Sequence, residues 1–182
     1  MKHVYLFLAD GTEECEALIT VDLLRRAGID VNTVSVMDDI CVKTSSGIKI
    51  EADVMIDGVN LNEADMLILP GGMPGTKYLG ECEKLCETVK EFNEQGKLLA
   101  AICAAPSVLG KLGILKGKKA ICYPGFEDAL EGATISDVDP VTDGNVTTAS
   151  GLGHAIPFAL EIIKVLDSED TANRVASEIG YK

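Results

Sequence analysis

Cys103 is the residue best placed to do chemistry. It closes the apolar run Leu98-Leu99-Ala100-Ala101-Ile102 and passes at once into Ala104-Ala105-Pro106-Ser107, a helix start made of small residues. A strand that becomes a helix through one residue holds that residue in a sharp, strained elbow, with its side chain above the sheet. Unpaired N–H groups at the helix start would then face the sulfur and favour thiolate, the reactive form. Two other segments can meet it. One is Ala9-Asp10-Gly11-Thr12-Glu13-Glu14-Cys15-Glu16, and the other is Pro70-Gly71-Gly72. A carboxyl from Glu13, Glu14 or Glu16 within reach of the thiol could share its proton or act as general acid and base. The alternative is a solvated acidic first turn, which is favourable by itself. An N–H of the Gly-Gly loop, together with that of Ala104, would form an oxyanion hole, although glycines there also serve a turn of positive φ.

These groups need a scaffold that brings three distant loops to one rim. Apolar, β-branched runs at 3–9, 30–36, 66–69, 98–102, 119–122 and 145–149 read as strands. The runs at 66–69 and 98–102 are continuously apolar, as parallel strands buried on both faces should be. Helical patterns fall at 15–27, 81–95, 104–112 and 155–166. A last helix is expected from Ser168, whose Ser-Glu-Asp supplies a cap and acidic first turn, to Ile179. Short polar-punctuated pieces between 38 and 57, around Ser45-Ser46-Gly47, suggest a β-hairpin. Strands alternating with helices imply right-handed βαβ units and an α/β three-layer sandwich with a mostly parallel central sheet. Ligands of such sheets bind beyond the carboxyl ends of the strands, where all three motifs land.

The chain has 182 residues, enough for one domain over 1–182 with a core that needs no staples. Its net charge of −13 argues against nucleic acid and anionic membranes as partners. No apolar stretch approaches the roughly 20 residues that span a bilayer. The chain opens directly into a strand, so no signal peptide is expected, and a cytoplasmic setting with six reduced cysteines follows.

Taken together, Glu-Glu-x-Glu after the first strand, Leu-Pro-Gly-Gly, Ala-Ala-Ile-Cys-Ala-Ala-Pro and Thr-Ala-Ser-Gly-x-Gly resemble the ThiJ/PfpI superfamily. The similarity is greatest to the branch of the Parkinson's-disease-associated deglycase and the bacterial ThiJ-like proteins, and it runs over essentially the whole chain. It implies a flavodoxin-like, class I glutamine-amidotransferase-like fold and a homodimer. It also implies Cys103 as the nucleophilic or oxidisable cysteine and Glu16 as its carboxylate, with Gly72 and Ala104 supplying N–H groups. The chain departs from relatives in carrying Ala104 where protease-like branches have a histidine. Tyr123 stands where the deglycase has its histidine, and Gly151-Leu152-Gly153-His154 replaces Gly-Pro-Gly-[Ser/Thr/Ala].

His154 is then a candidate replacement imidazole on the same rim, or else a surface or dimer contact. Cys15 is expected to line the pocket beside Glu16, or to resolve a sulfenic acid on Cys103. Cys82 and Cys86, four apart on a predicted helix, lack the further ligands of a zinc site, and Cys41 and Cys122 read as small core residues. The expected function is a cysteine-dependent glyoxalase or deglycase acting on small 2-oxoaldehydes or glycated amines. In that reaction Glu16 shuttles the proton of a Cys103 hemithioacetal, and no metal or organic cofactor is needed. The other reading is a redox-sensing stress protein or chaperone whose Cys103 is oxidised to sulfinate.

Overall fold

The computed structural model describes residues 2–182. In chain order the strands are β1 (His3–Leu8), β2 (Asp30–Ser35), β3 (Cys41–Lys43), β4 (Lys49–Glu51), β5 (Val54–Met55), β6 (Met66–Leu69), β7 (Leu98–Ile102), β8 (Lys119–Ala120), β9 (Thr134–Ile135), β10 (Val141–Asp143) and β11 (Val146–Ala149). The α-helices are α1 (Glu14–Arg26), α2 (Gly75–Glu81), α3 (Glu83–Glu94), α4 (Pro106–Lys111), α5 (Ala155–Leu166) and α6 (Glu169–Glu178). The central sheet has seven strands in the order β10-β11-β7-β6-β1-β2-β5, and only β10 runs antiparallel to its neighbour. The chain reverses its direction of travel through the sheet between β1 and β6, which opens a crevice at their carboxyl ends. Every residue of β6 is buried, as its unbroken apolar run requires.

Two cores form, one on each face of the sheet. On one side α1, α5 and α6 contribute Ala17, Leu24, Phe158, Ile162 and Val175. The other side is filled by Leu79, Leu85, Val89, Phe92 and Leu109 from α2, α3 and α4. Helix α5 buries Ala155, Phe158, Ala159, Ile162, Ile163 and Leu166, the single stripe a 3.6-residue repeat produces. Ser168 caps α6 by accepting from the Thr171 N–H at 3.2 Å. The hairpin expected between 38 and 57 is β3 paired antiparallel with β4.

Several expectations are corrected. Lys119–Ala120 lies outside the central sheet and pairs with β9 in a separate two-stranded ladder. The helix expected over 81–95 is α3, and a further short helix, α2, precedes it, the two being separated where Cys82 takes an extended ψ of 100°. Cys82 is therefore a junction residue, while the Cys86 thiol donates to the Leu79 and Gly80 carbonyls. The short edge strand β5 and the antiparallel β10 carry too few residues to show a period of their own. Among the described residues, no helix is long and apolar enough to cross a membrane.

Candidate active site

Strand β7 ends at Ile102, and the chain turns immediately. Cys103 has φ +65°, the only positive value among the described non-glycine residues. The left-handed region costs an L-residue roughly 1–2 kcal/mol, so the surroundings must hold it there. They do so through both backbone groups. The Cys103 N–H donates to the Ala149 carbonyl at 2.9 Å, and its carbonyl accepts from the Tyr123 N–H at 2.7 Å. Ala104 and Ala105 complete the turn, so α4 begins only at Pro106.

The three acidic residues after β1 have three different jobs. Glu13 is the N-cap of α1, its carboxylate accepting from the Glu16 N–H at 2.6 Å. Glu14 turns to the hairpin, where Ser45 Oγ donates to it at 3.4 Å, and hydrogen bonds hold its pKa below the ordinary carboxylate value. Glu16 points inward and is 1% exposed. Its Oε2 accepts from the Gly71 N–H at 3.0 Å, across 55 positions of sequence. Gly71 must be glycine for this contact. A Cβ there would lie 2.5 Å from Cys103 Cβ and 2.6 Å from Glu16 Oε2.

The Glu16 carboxyl and the Cys103 thiol thus face one another in a dry setting. Burial raises the Glu16 pKa to about 7, partly opposed by hydrogen bonds from Cys103 and the Gly71 and Leu152 backbones. For Cys103, burial first and then the Glu16 charge push the thiol up to about 12. The N–H groups of Ala104 and Gly72 oppose that rise. Desolvation and the neighbouring carboxylate thus act against the backbone donors that the elbow supplies. Near neutral pH the pair holds one proton or two, and a single proton resides on the thiol, the weaker acid of the two.

The remaining candidates are distributed around this pair. Tyr123, 51% exposed, stands over Gly151, where an added Cβ would lie 3.3 Å from Tyr123 Cδ2, 3.8 Å from Cys103 Sγ and 3.8 Å from Glu16 Oε1. The His154 imidazole is engaged elsewhere, with Nδ1 3.1 Å from Asp139 Oδ2 and 3.1 Å from Ser150 Oγ. Cys15 is exposed, because neighbours on a helix project about 100° apart and Glu16 takes the inward direction. Cys122 is buried as expected, whereas Cys41 is half-buried. Asp139, which orients His154, escaped the sequence reading, since only the fold brings it to the loop after β11. Among the described residues, no group of three or more His, Cys, Asp or Glu is arranged to hold a metal ion.

Residues 2–165 match the model of the DJ-1/PfpI family. The chain is 37% identical over 180 residues to protein DJ-1 homolog B of Arabidopsis thaliana, covering 98% of this chain and 41% of that protein. The plant DJ-1 homologs are therefore more than twice as long as the region they share with it. It is 36% identical to protein dj-1beta of Drosophila melanogaster, covering 96% of this chain and 95% of that one. The oxidised DJ-1 of Toxoplasma gondii superposes with a TM-score of 0.96 at 36% identity, over 100% of this chain and 99% of the other.

Proposed function

Because the chain belongs to the DJ-1/PfpI family, we propose that it is a cysteine-dependent glyoxalase or deglycase acting on small 2-oxoaldehydes and their amine adducts. Membership supports a DJ-1-like stress-response or deglycase role at the coarser level. The observation that carries the finer reading is the buried Glu16 carboxyl facing the Cys103 thiol, with its pKa raised to about 7. A base whose pKa lies near the working pH combines availability with driving force.

With methylglyoxal, the ionised Glu16 takes the thiol proton as Cys103 Sγ bonds to the aldehyde carbon. The developing oxyanion is met by the N–H groups of Gly72 and Ala104 and is protonated to a hemithioacetal. Glu16 then removes the hydrogen on that carbon and returns a proton to the adjacent carbon, leaving a 2-hydroxyacyl thioester on Cys103. Water cleaves the thioester, releasing lactate and the thiol, so the net change is addition of one water. An aldehyde already condensed with an amine enters the same sequence, with the amine as leaving group. Thiol and carboxyl suffice for every step. A homodimer in a cytoplasmic setting belongs to the same proposal.

Acid quenching of the protein during turnover, followed by mass spectrometry of the Cys103 peptide, tests the mechanism. A 2-hydroxyacyl adduct that is absent in Glu16→Gln is expected. An unmodified Cys103 during demonstrable turnover contradicts it.

A redox role is the second reading, and one feature favours it. A protonated Glu16 is a ready donor to an oxygen of Cys103 sulfinate, and such a charge-assisted bond is strong. The raised thiol pKa bears on both readings alike, since oxidation and carbonyl addition each need the thiolate.

A further inference from the structure

Tyr123 takes no part in the bond-making steps proposed above, yet its place beside them is fixed. The Ile121 N–H donates to Thr148 Oγ1 of β11 at 3.0 Å, and the Tyr123 N–H donates to the Cys103 carbonyl at 2.7 Å. The Tyr123 carbonyl accepts from the Phe126 N–H at 3.1 Å, closing a turn over 123–126. The backbone of Tyr123 is thus tied to the reactive residue itself, while its side chain stays 51% exposed. A tyrosine ring presented in this way offers a large, stiff contact area that loses little conformational entropy when something packs on it.

The space that the ring borders is the space of the reaction. The point where a Cβ on Gly151 would sit lies 3.3 Å from Tyr123 Cδ2, 3.8 Å from Cys103 Sγ and 3.8 Å from Glu16 Oε1. A carbon atom there would be in van der Waals contact with the thiol and the carboxyl and close against the ring. Gly151, having no side chain, leaves that hollow free for an atom of the substrate.

The character of the surroundings selects what can fill it. Met73, next in the chain after Gly72, and Leu152, next after Gly151, are likewise apolar and about half exposed. The charges that act on the Cys103–Glu16 pair are those of Glu16 itself and Glu13, both acidic. A ring edge beside an acidic pair suits an uncharged apolar group and repels an anion. An aromatic group gains further, because an offset or edge-to-face contact between rings adds to the area buried.

We propose that Tyr123 is a specificity residue, receiving an uncharged aromatic substituent on the compound that Cys103 attacks. Resting on the reaction proposed above, this names aryl 2-oxoaldehydes as the substrate class that the Tyr123 ring favours. The substituent leaves the reacting carbon over Gly151 and packs on the ring, while Glu16 and the N–H groups of Gly72 and Ala104 keep their roles.

Two ratios, each measured in wild type, Tyr123→Ala and Tyr123→Phe, test the proposal. The first is kcat/KM for phenylglyoxal, which takes up one water to give mandelate, over kcat/KM for methylglyoxal. The second is the rate of Cys103 alkylation by iodoacetanilide over that by iodoacetamide, followed by mass spectrometry of the Cys103 peptide. A general loss of structure or of thiol reactivity cancels in both. Because the side chain is half exposed, both variants should fold. Each ratio should fall about tenfold in Tyr123→Ala and stay within about twofold of wild type in Tyr123→Phe, which keeps the ring. Either ratio unchanged in Tyr123→Ala, or lowered as far by Tyr123→Phe as by Tyr123→Ala, would overturn the proposal. No turnover of either aldehyde, together with the expected fall in the alkylation ratio, would contradict the glyoxalase reaction and uphold Tyr123 as the aromatic subsite.

Discussion

The Gly71 N–H holds the Glu16 carboxyl at 3.0 Å, fixing it against the side chain of Cys103. This bond joins the loop after β6 to the first turn of α1, and neither partner can move without disturbing the cysteine. The glycine performs two functions at once, donating its N–H and leaving empty the volume that a methyl group would contest.

Gly71→Ala should therefore be damaging out of proportion to its size. The new Cβ would press on Cys103 Cβ and Glu16 Oε2 at once. Overpacking of this kind costs about 1–3 kcal/mol. Chemical denaturation should show that loss, and alkylation of Cys103 should change in rate as the carboxyl is displaced. A variant with wild-type stability and wild-type thiol reactivity would count against the tight three-residue contact.

The Glu16 pKa makes stability depend on pH in a defined direction. Folding raises this group from 4.5 to about 7, so the native state prefers the protonated form. Its contribution is complete below pH 4.5 and is lost as pH rises through 7. Glu16→Gln removes that dependence, and should gain about 3 kcal/mol on wild type at pH 8 relative to its standing at pH 4. Denaturation curves across this window check the prediction, and parallel pH profiles for the two proteins would refute it.

The same substitution should act on the thiol in the opposite sense. The Glu16 charge and its hydrogen bond both raise Cys103. Ultraviolet titration of the thiolate should therefore give a lower midpoint in Glu16→Gln than in wild type. Identical curves would mean the two groups are uncoupled.

His154→Ala should leave Cys103 alkylation unchanged within a factor of about two, because the imidazole is committed to Asp139 and Ser150. The ring is 44% exposed, so the stability cost should stay within about 1 kcal/mol. A large fall in thiol reactivity would restore His154 as the missing imidazole.

What could be read from the sequence follows from how local each signal is. Strands β6 and β7 are visible because both faces are buried and every residue is apolar, and the elbow at Cys103 follows from the abrupt change of pattern after Ile102. Helix α2 is hidden, since it starts after Pro74 with Gly75, contains Gly80 and spans only seven residues. The segment at 119–122 has a strand's composition, yet its partner is β9 rather than the central sheet, and composition cannot name a partner. At the site, local sequence located the cysteine and three rival carboxylates. The elbow donors that act on the thiol are local and legible, whereas the Glu16 charge that opposes them arrives from 87 positions away. The Asp139–His154 pair was invisible for the same reason.

The central claim is that Cys103 and Glu16 together convert a 2-oxoaldehyde to a 2-hydroxy acid. Its most direct test is conversion of methylglyoxal to lactate without glutathione, comparing wild type, Cys103→Ser and Glu16→Gln. Turnover by wild type that is abolished in Cys103→Ser and reduced at least 100-fold in Glu16→Gln, a loss on the order of that expected for a missing general base, is the predicted result. No lactate from folded wild type with its thiol reduced, or undiminished turnover by either variant, would contradict it.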